Sequence, residues 1–163
     1  MTMPKPSGPG HRHLAQGIVI IHEDKDILVI DKPPGLLTMG TDKEKSRTAY
    51  FILTDYVRKG QPKSRNRVFI VHRLDRDTSG LVVFATNPSA KQFLQSHWDE
   101  TTKKYLAIVH GSCEKNSDTI STYLAENKAR SVYSTPDTSK GKLSHTAYTV
   151  LKRTEKFSLL EID

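Results

Sequence analysis

The sequence predicts an α+β fold built on a mixed, largely antiparallel sheet with flanking helices. Three observations carry that expectation. Short apolar, β-branched runs recur along the chain, only two segments repeat apolar residues at helical spacing, and most links between them are tight. At 163 residues the chain is long enough for one domain with its own core, and no composition break argues for two.

The first residues, MTMPKPSGPGHRH, carry Pro, Gly and basic side chains with almost no apolar content. They predict a flexible basic lead-in over 1–17, with the domain proper over 18–163. Ile18-Val19-Ile20-Ile21 and Ile27-Leu28-Val29-Ile30 flank the polar His22–Asp26, the pattern of a hairpin with a five-residue loop. Pro33-Pro34-Gly35 ends the second strand. Ala49, Ile52, Leu53, Tyr56 and Val57 then repeat at helical spacing, which predicts an amphipathic helix over about 47–59.

Val68–Val71 and Leu81–Phe84 read as buried strands. Asn87 is a good N-cap and Pro88 suits the first helical position, so a second helix comes next, with Ala90, Phe93, Leu94 and His97 along one face up to Trp98. His97 reads as packed at the helix end rather than as a ligand. Lys104–His110 predicts a strand stopped by Gly111, and Thr119–Leu124, Thr146–Leu151 and Phe157–Ile162 predict three more. The polar stretch from Glu126 to Ser144 predicts an exposed excursion.

Charge narrows the partner. Twenty-five Lys plus Arg against eighteen Asp plus Glu leave a formal charge of +7, which favours a polyanion, nucleic acid first. Arg58, Lys59, Lys63, Arg65 and Arg67 fall within one stretch that holds no acid. A solvated loop would account for such a run alone, but its place just before the charged run His72–Gly80 favours a phosphate-backbone footprint at Arg65 and Arg67. The single cysteine, Cys113, allows no internal disulfide and no multi-thiolate metal site, and fits a reducing, cytoplasmic setting. No membrane-span pattern, secretory signal, phosphate loop, dinucleotide fingerprint or His/Cys metal spacing is present in the sequence.

Between the two buried strands lies His72-Arg73-Leu74-Asp75-Arg76-Asp77-Thr78-Ser79-Gly80, two arginines and two carboxylates packed against a turn signal. Charged loops held between core strands are where sites are usually built. His72, Asp75 and Ser79 include the side-chain types of a hydrolase triad, yet such triads normally gather their members from separate elements. Asp77, Thr78 and Ser79 read better as turn scaffold. Asp75 differs, because Arg73 and Arg76 beside it in sequence would keep a partly buried carboxylate ionised. Such a group can act as nucleophile or as general base, and the residues alone leave both roles open.

The run HRLDRDTSG resembles the signature of the RluA-type pseudouridine synthases, which convert particular uridines of ribosomal or transfer RNA to pseudouridine. ILVIDKPPGLL, from Ile27 to Leu37, is similar to the family's opening strand and Lys-Pro turn. KYLAIVHG, from Lys104 to Gly111, resembles the segment that carries its active-site tyrosine, and SHTAYTV, from Ser144 to Val150, the strand after it. The resemblance implies a pseudouridine-synthase-like fold, an isomerase acting on RNA, and no cofactor or metal.

Carried over by residue, it implies Asp75 as the catalytic carboxylate that attacks the uridine nucleotide, so that the base can detach, turn and rejoin through C5. Tyr105 would stack on the target base and help remove its C5 proton; on sequence alone it reads as a core aromatic. Arg73 would fill the space left by the extruded nucleotide. His72 and Arg76 join the substrate contacts, and Lys32 matches the lysine of the opening turn, as a backbone contact or a scaffold residue.

The family often carries an S4-type RNA-binding module ahead of the catalytic domain, for which the lead-in here has no room. In the family a Thr-Gly-Arg segment, then His-Gln and a further Arg, come after the strand matched by Phe157–Ile162, and a basic residue there pairs with the catalytic aspartate. This chain stops at Asp163. The expectation is therefore a domain incomplete at its C-terminus. The alternative to an active synthase is a weakly active or inactive RNA-binding fragment of one.

Overall fold

A computed structural model describes residues 12–40, 44, 46–127 and 131–163. The chain divides into two compact units, Met1–Glu100 and Thr101–Asp163.

The first unit is a five-stranded antiparallel sheet with two helices. Its strands are β1 (Arg12–His13), β2 (Val19–Glu23), β3 (Ile27–Lys32), β4 (Phe69–Ile70) and β5 (Gly80–Ala85), in the order β1-β2-β3-β5-β4. Part of the lead-in is thus ordered: Arg12 and His13 pair with Ile20 and Val19. Residues 1–11 lie outside the described residues. The β2–β3 hairpin forms as the pattern predicts but with a tighter link, because the Asp24 carboxylate accepts from the amides of Asp26 (2.8 Å) and Ile27 (2.7 Å) and closes the turn. The same carboxylate lies 3.0 Å from the His22 ring.

Helix α1 (Ala49–Arg58) starts where Thr48 caps the Phe51 amide and ends at Lys59, whose positive φ of 51° precedes Gly60 at 72°. Its predicted stripe docks: Ala49 and Leu53 are fully buried with Ile18, Leu28, Ile30, Val68, Val82 and Phe84, and Ile52, Tyr56 and Val57 pack beside them. Helix α2 (Pro88–Ser96) begins as its sequence signals require, with Asn87 accepting from Ala90 at 2.9 Å. Its apolar face is only partly covered: Ala90 and Leu94 are half-buried, whereas Phe93 is 62% exposed and His97 is exposed. His97 caps the helix end, its ring 2.8 Å from the Phe93 carbonyl.

Alternation along β3 sets the place of its last residue. Leu28 and Ile30 point into the core, and the two-residue period sends the next inward position, Lys32, the same way. The β3–β5 register places Lys32 opposite Gly80, so the charged loop that feeds β5 ends beside a buried lysine.

The second unit is a separate five-stranded antiparallel sheet, where one sheet was expected for the whole chain. Its strands are β6 (Tyr105–His110), β7 (Ser117–Glu126), β8 (Val132–Thr135), β9 (Lys142–Arg153) and β10 (Phe157–Ile162), in the order β6-β10-β9-β7-β8. The excursion from Glu126 to Ser144 is more structured than its polarity predicts. It contains β8, which pairs with the end of β7, and the first residues of β9. Main-chain pairing there does not depend on apolar content, the signal used to find strands in the sequence. Gly111, at a φ of 87°, turns the chain after β6, and its carbonyl takes the hydroxyl of fully buried Ser158 at 2.9 Å.

Candidate functional site

The loop from His72 to Ser79 leaves the sheet where β4 ends. Past Ile70, β5 loses its strand partner on that side, and His72 takes over: its Nε2 accepts from the Val83 amide at 3.0 Å. The ring also stacks on Trp98, with centroids 4.4 Å apart and planes 26° from parallel. An accepting Nε2 implies the neutral ring with its proton on Nδ1. The structure therefore gives His72 a framework role at the root of the loop. Gln95 of α2 reinforces the same corner by reaching toward the carbonyls of Ile70 and Val71, each at 3.4 Å.

Lys32 is fully buried. Its Nζ donates to the carbonyls of Leu36 (2.8 Å), Pro33 (3.0 Å) and Arg76 (3.1 Å), one donor for each. Of the two roles expected for it, scaffold and contact to RNA, burial leaves the first, since the ammonium has no surface to offer a phosphate. Burial pushes its pKa below the ordinary lysine value, and the carboxylates of Asp77 and Asp75 oppose that shift. The positive charge thus interacts electrostatically with both aspartates of the loop.

Asp75 itself is exposed. Its carbonyl accepts from the Thr78 amide at 3.3 Å, closing the predicted turn. Among the described residues its carboxylate has no hydrogen-bond or ion-pair partner. The expected guanidinium neighbours stand elsewhere: Arg73 is exposed, and Arg76 pairs with Glu44 at 2.9 Å. Residues adjacent along a tight loop project in different directions, so neighbourhood in sequence did not become contact in space. Arg65 and Arg67 are both exposed, and Arg67 lies over the Phe69 ring at 4.9 Å. Tyr105 opens β6 in the second unit, opposite Ile162 and 41% exposed.

Several contributors were not legible in the sequence. Thr38, Trp98, Gln95 and Glu44 all touch this loop or its root, each from a distant segment. Nothing along the sequence marks Thr38 or Glu44 as part of the site; each meets the loop only through the fold. Among the described residues no group of three or more His, Cys, Asp or Glu side chains is arranged to hold a metal ion, and no helix is long and apolar enough to cross a membrane.

Residues 26–163 match the family model described as RNA pseudouridylate synthase. The chain belongs to that family. The charged loop, the Lys32 turn and the Tyr105 strand all fall inside the matched region. An RNA pseudouridine synthase of Mycoplasma genitalium, itself uncharacterised, is 34% identical over 149 residues, covering 88% of this chain and 46% of the relative. A protein of Borreliella burgdorferi named as ribosomal large subunit pseudouridine synthase D is 30% identical over 150 residues, covering 89% and 46%. The solved structure of human RNA pseudouridylate synthase domain containing 4 has the same fold, with a TM-score of 0.71 at 22% identity, covering 88% of this chain and 57% of that one. This chain thus spans a little under half the length of these two relatives.

Proposed function

We propose that this chain carries the nucleophile-bearing part of an RNA pseudouridine synthase, an isomerase acting on specific uridines of ribosomal or transfer RNA in the cytoplasm. The observation that carries the reading is the Asp75 loop: an exposed carboxylate on a main chain tied down on both sides, inside the region that matches the RNA pseudouridylate synthase family. Asp75 forms a bond to the nucleotide as the N1 glycosidic bond breaks, the base turns, C5 bonds to the sugar and the carboxylate is released. The C5 proton is then lost, with Tyr105, stacked on the base, assisting its removal, while N1 takes up a proton. Arg73, exposed and two residues before Asp75, fills the position the uridine vacates. Arg65, Arg67 and Arg76 meet phosphates, and His72 acts on the substrate only through the loop it holds. The chemistry uses no metal and no cofactor.

The test is tritium release from C5-labelled uridine in RNA, with Asp75→Asn beside the unaltered chain. The expected result is turnover that this substitution abolishes while RNA affinity stays within about threefold, less than one good contact is worth. Equal turnover by both proteins would overturn the assignment of Asp75. RNA binding with no turnover by either would favour the alternative, a binding fragment of a synthase.

A further inference from the structure

One buried hydroxyl engages both main-chain groups of the residue before Asp75. Thr38 is 2% exposed and lies 36 residues before Leu74. Its Oγ1 donates to the Leu74 carbonyl at 2.7 Å and accepts from the Leu74 amide at 3.2 Å. It therefore does for the loop what a neighbouring strand does in an antiparallel sheet, pairing the donor and the acceptor of a single residue.

Thr38 is itself anchored. Its carbonyl accepts from the Tyr50 amide at 3.0 Å, and the Leu37 carbonyl accepts from Ala49 at 2.9 Å, so the first turn of α1 holds the segment in place. On the far side of Asp75, the Arg76 carbonyl takes the Gly35 amide at 2.8 Å as well as the Lys32 ammonium. Residues Lys32 to Thr38 thus grip the loop immediately before and immediately after Asp75, while the carboxylate between the grips is exposed.

We infer that Thr38 is a positioning residue for Asp75, transmitting the rigidity of α1 to the main chain that aims the carboxylate. The inference rests on the reading of Asp75 as the nucleophile. It assigns to one hydroxyl a task distinct from the fold's stability: a valine at 38 has the same shape and packs in the same space, but leaves the Leu74 amide and carbonyl to water. Loss of aim at a reacting group is costly, about 100-fold for about 1 Å of displacement.

The experiment compares Thr38→Val, Thr38→Ser and Asp75→Asn in the full chain, by amide hydrogen exchange and by tritium release. In Thr38→Val the Leu74 amide is expected to exchange at least about 10-fold faster while β3 amides keep their protection, as for a local opening. The same variant is expected to lose about 10- to 100-fold in kcat with KM for RNA within about threefold, and Thr38→Ser to recover most of both losses. Unchanged exchange at Leu74, or unchanged kcat in a folded Thr38→Val protein, would overturn the inference. Thr38→Ala carries the same test should the valine variant fail to fold. If Asp75→Asn keeps turnover, the nucleophile reading fails; if neither the unaltered chain nor any variant turns over, the binding-fragment reading holds; in both cases the exchange arm alone decides whether Thr38 holds the loop.

Discussion

The Lys32 ammonium donates to the main-chain carbonyl of Arg76 at 3.1 Å, tying the inward end of β3 to the residue after Asp75. Because the amine is fully buried and serves two further carbonyls, its removal strands three acceptors at once. Lys32→Met is expected to cost about 2–4 kcal/mol of unfolding free energy, the range for losing a buried charged donor. Urea unfolding followed by circular dichroism measures it, and a loss under about 0.5 kcal/mol, the level of an ordinary surface change, would contradict the scaffold role.

His72 joins the loop to β5 and to the only tryptophan of the chain. His72→Ala leaves the Val83 amide without that acceptor and removes the stacked ring, a loss of about 1–3 kcal/mol. Trp98 reports the change directly. Its emission is expected to shift in His72→Ala under native conditions, whereas an unchanged spectrum would mean that the stack is not populated in solution.

Arg65 and Arg67 are open to solvent, but only Arg67 lies over an aromatic ring. Each alanine substitution is expected to lower RNA affinity and reduce the slope of log affinity against log salt by roughly one, the signature of one lost phosphate contact. Arg67→Ala should also cost about 0.5–1 kcal/mol of stability through the Phe69 contact, and Arg65→Ala should not. Fluorescence anisotropy across a salt series, paired with urea unfolding, separates the two.

The Glu44 carboxylate occupies Arg76 at 2.9 Å, at the place where an RNA phosphate would compete for the guanidinium. Both side chains are partly exposed, so the pair is worth at most about 1 kcal/mol. Glu44→Gln is therefore expected to tighten RNA binding by about two- to fivefold, with stability unchanged within about 0.5 kcal/mol. Weaker binding in that variant would show that Arg76 needs Glu44 to be placed for RNA.

Asp24 sets a dependence on acid. Its pKa is lowered to about 2, first by the His22 ring and then by the amides of Ile27 and Asp26. A carboxyl with a depressed folded pKa contributes stability above its unfolded value of 3.8, and that contribution disappears as pH falls through about 2. Wild type is expected to unfold at higher urea than Asp24→Asn at pH 6, with the gap closing between pH 4 and 2. A gap of constant size across that range would assign the effect to shape rather than charge.

Local signals were enough for the elements with local causes. The Asn87-Pro88 start of α2, the Ala49–Val57 stripe of α1 and the β2–β3 hairpin are fixed by capping and periodicity over a few residues, and each formed close to where the sequence places it. Strand β8 was missed because edge pairing with β7 supplies what its polar residues do not advertise. How far the α2 stripe is covered was not legible, because periodicity shows that a stripe exists, not that something covers it.

For the site, the sequence by itself determined the family and the loop, because HRLDRDTSG is contiguous and its chemistry can be read in one place. Tertiary structure decided which groups hold that loop. Lys32, Thr38, Glu44 and Trp98 come from segments with no local reason to meet residues 72–79. They do so because the β3–β5 register brings Lys32 opposite Gly80, and because the first turn of α1 fixes the carbonyls of Leu37 and Thr38. Hydrogen bonds between main chain and distant side chains depend on those placements, and such placements leave no pattern along a sequence.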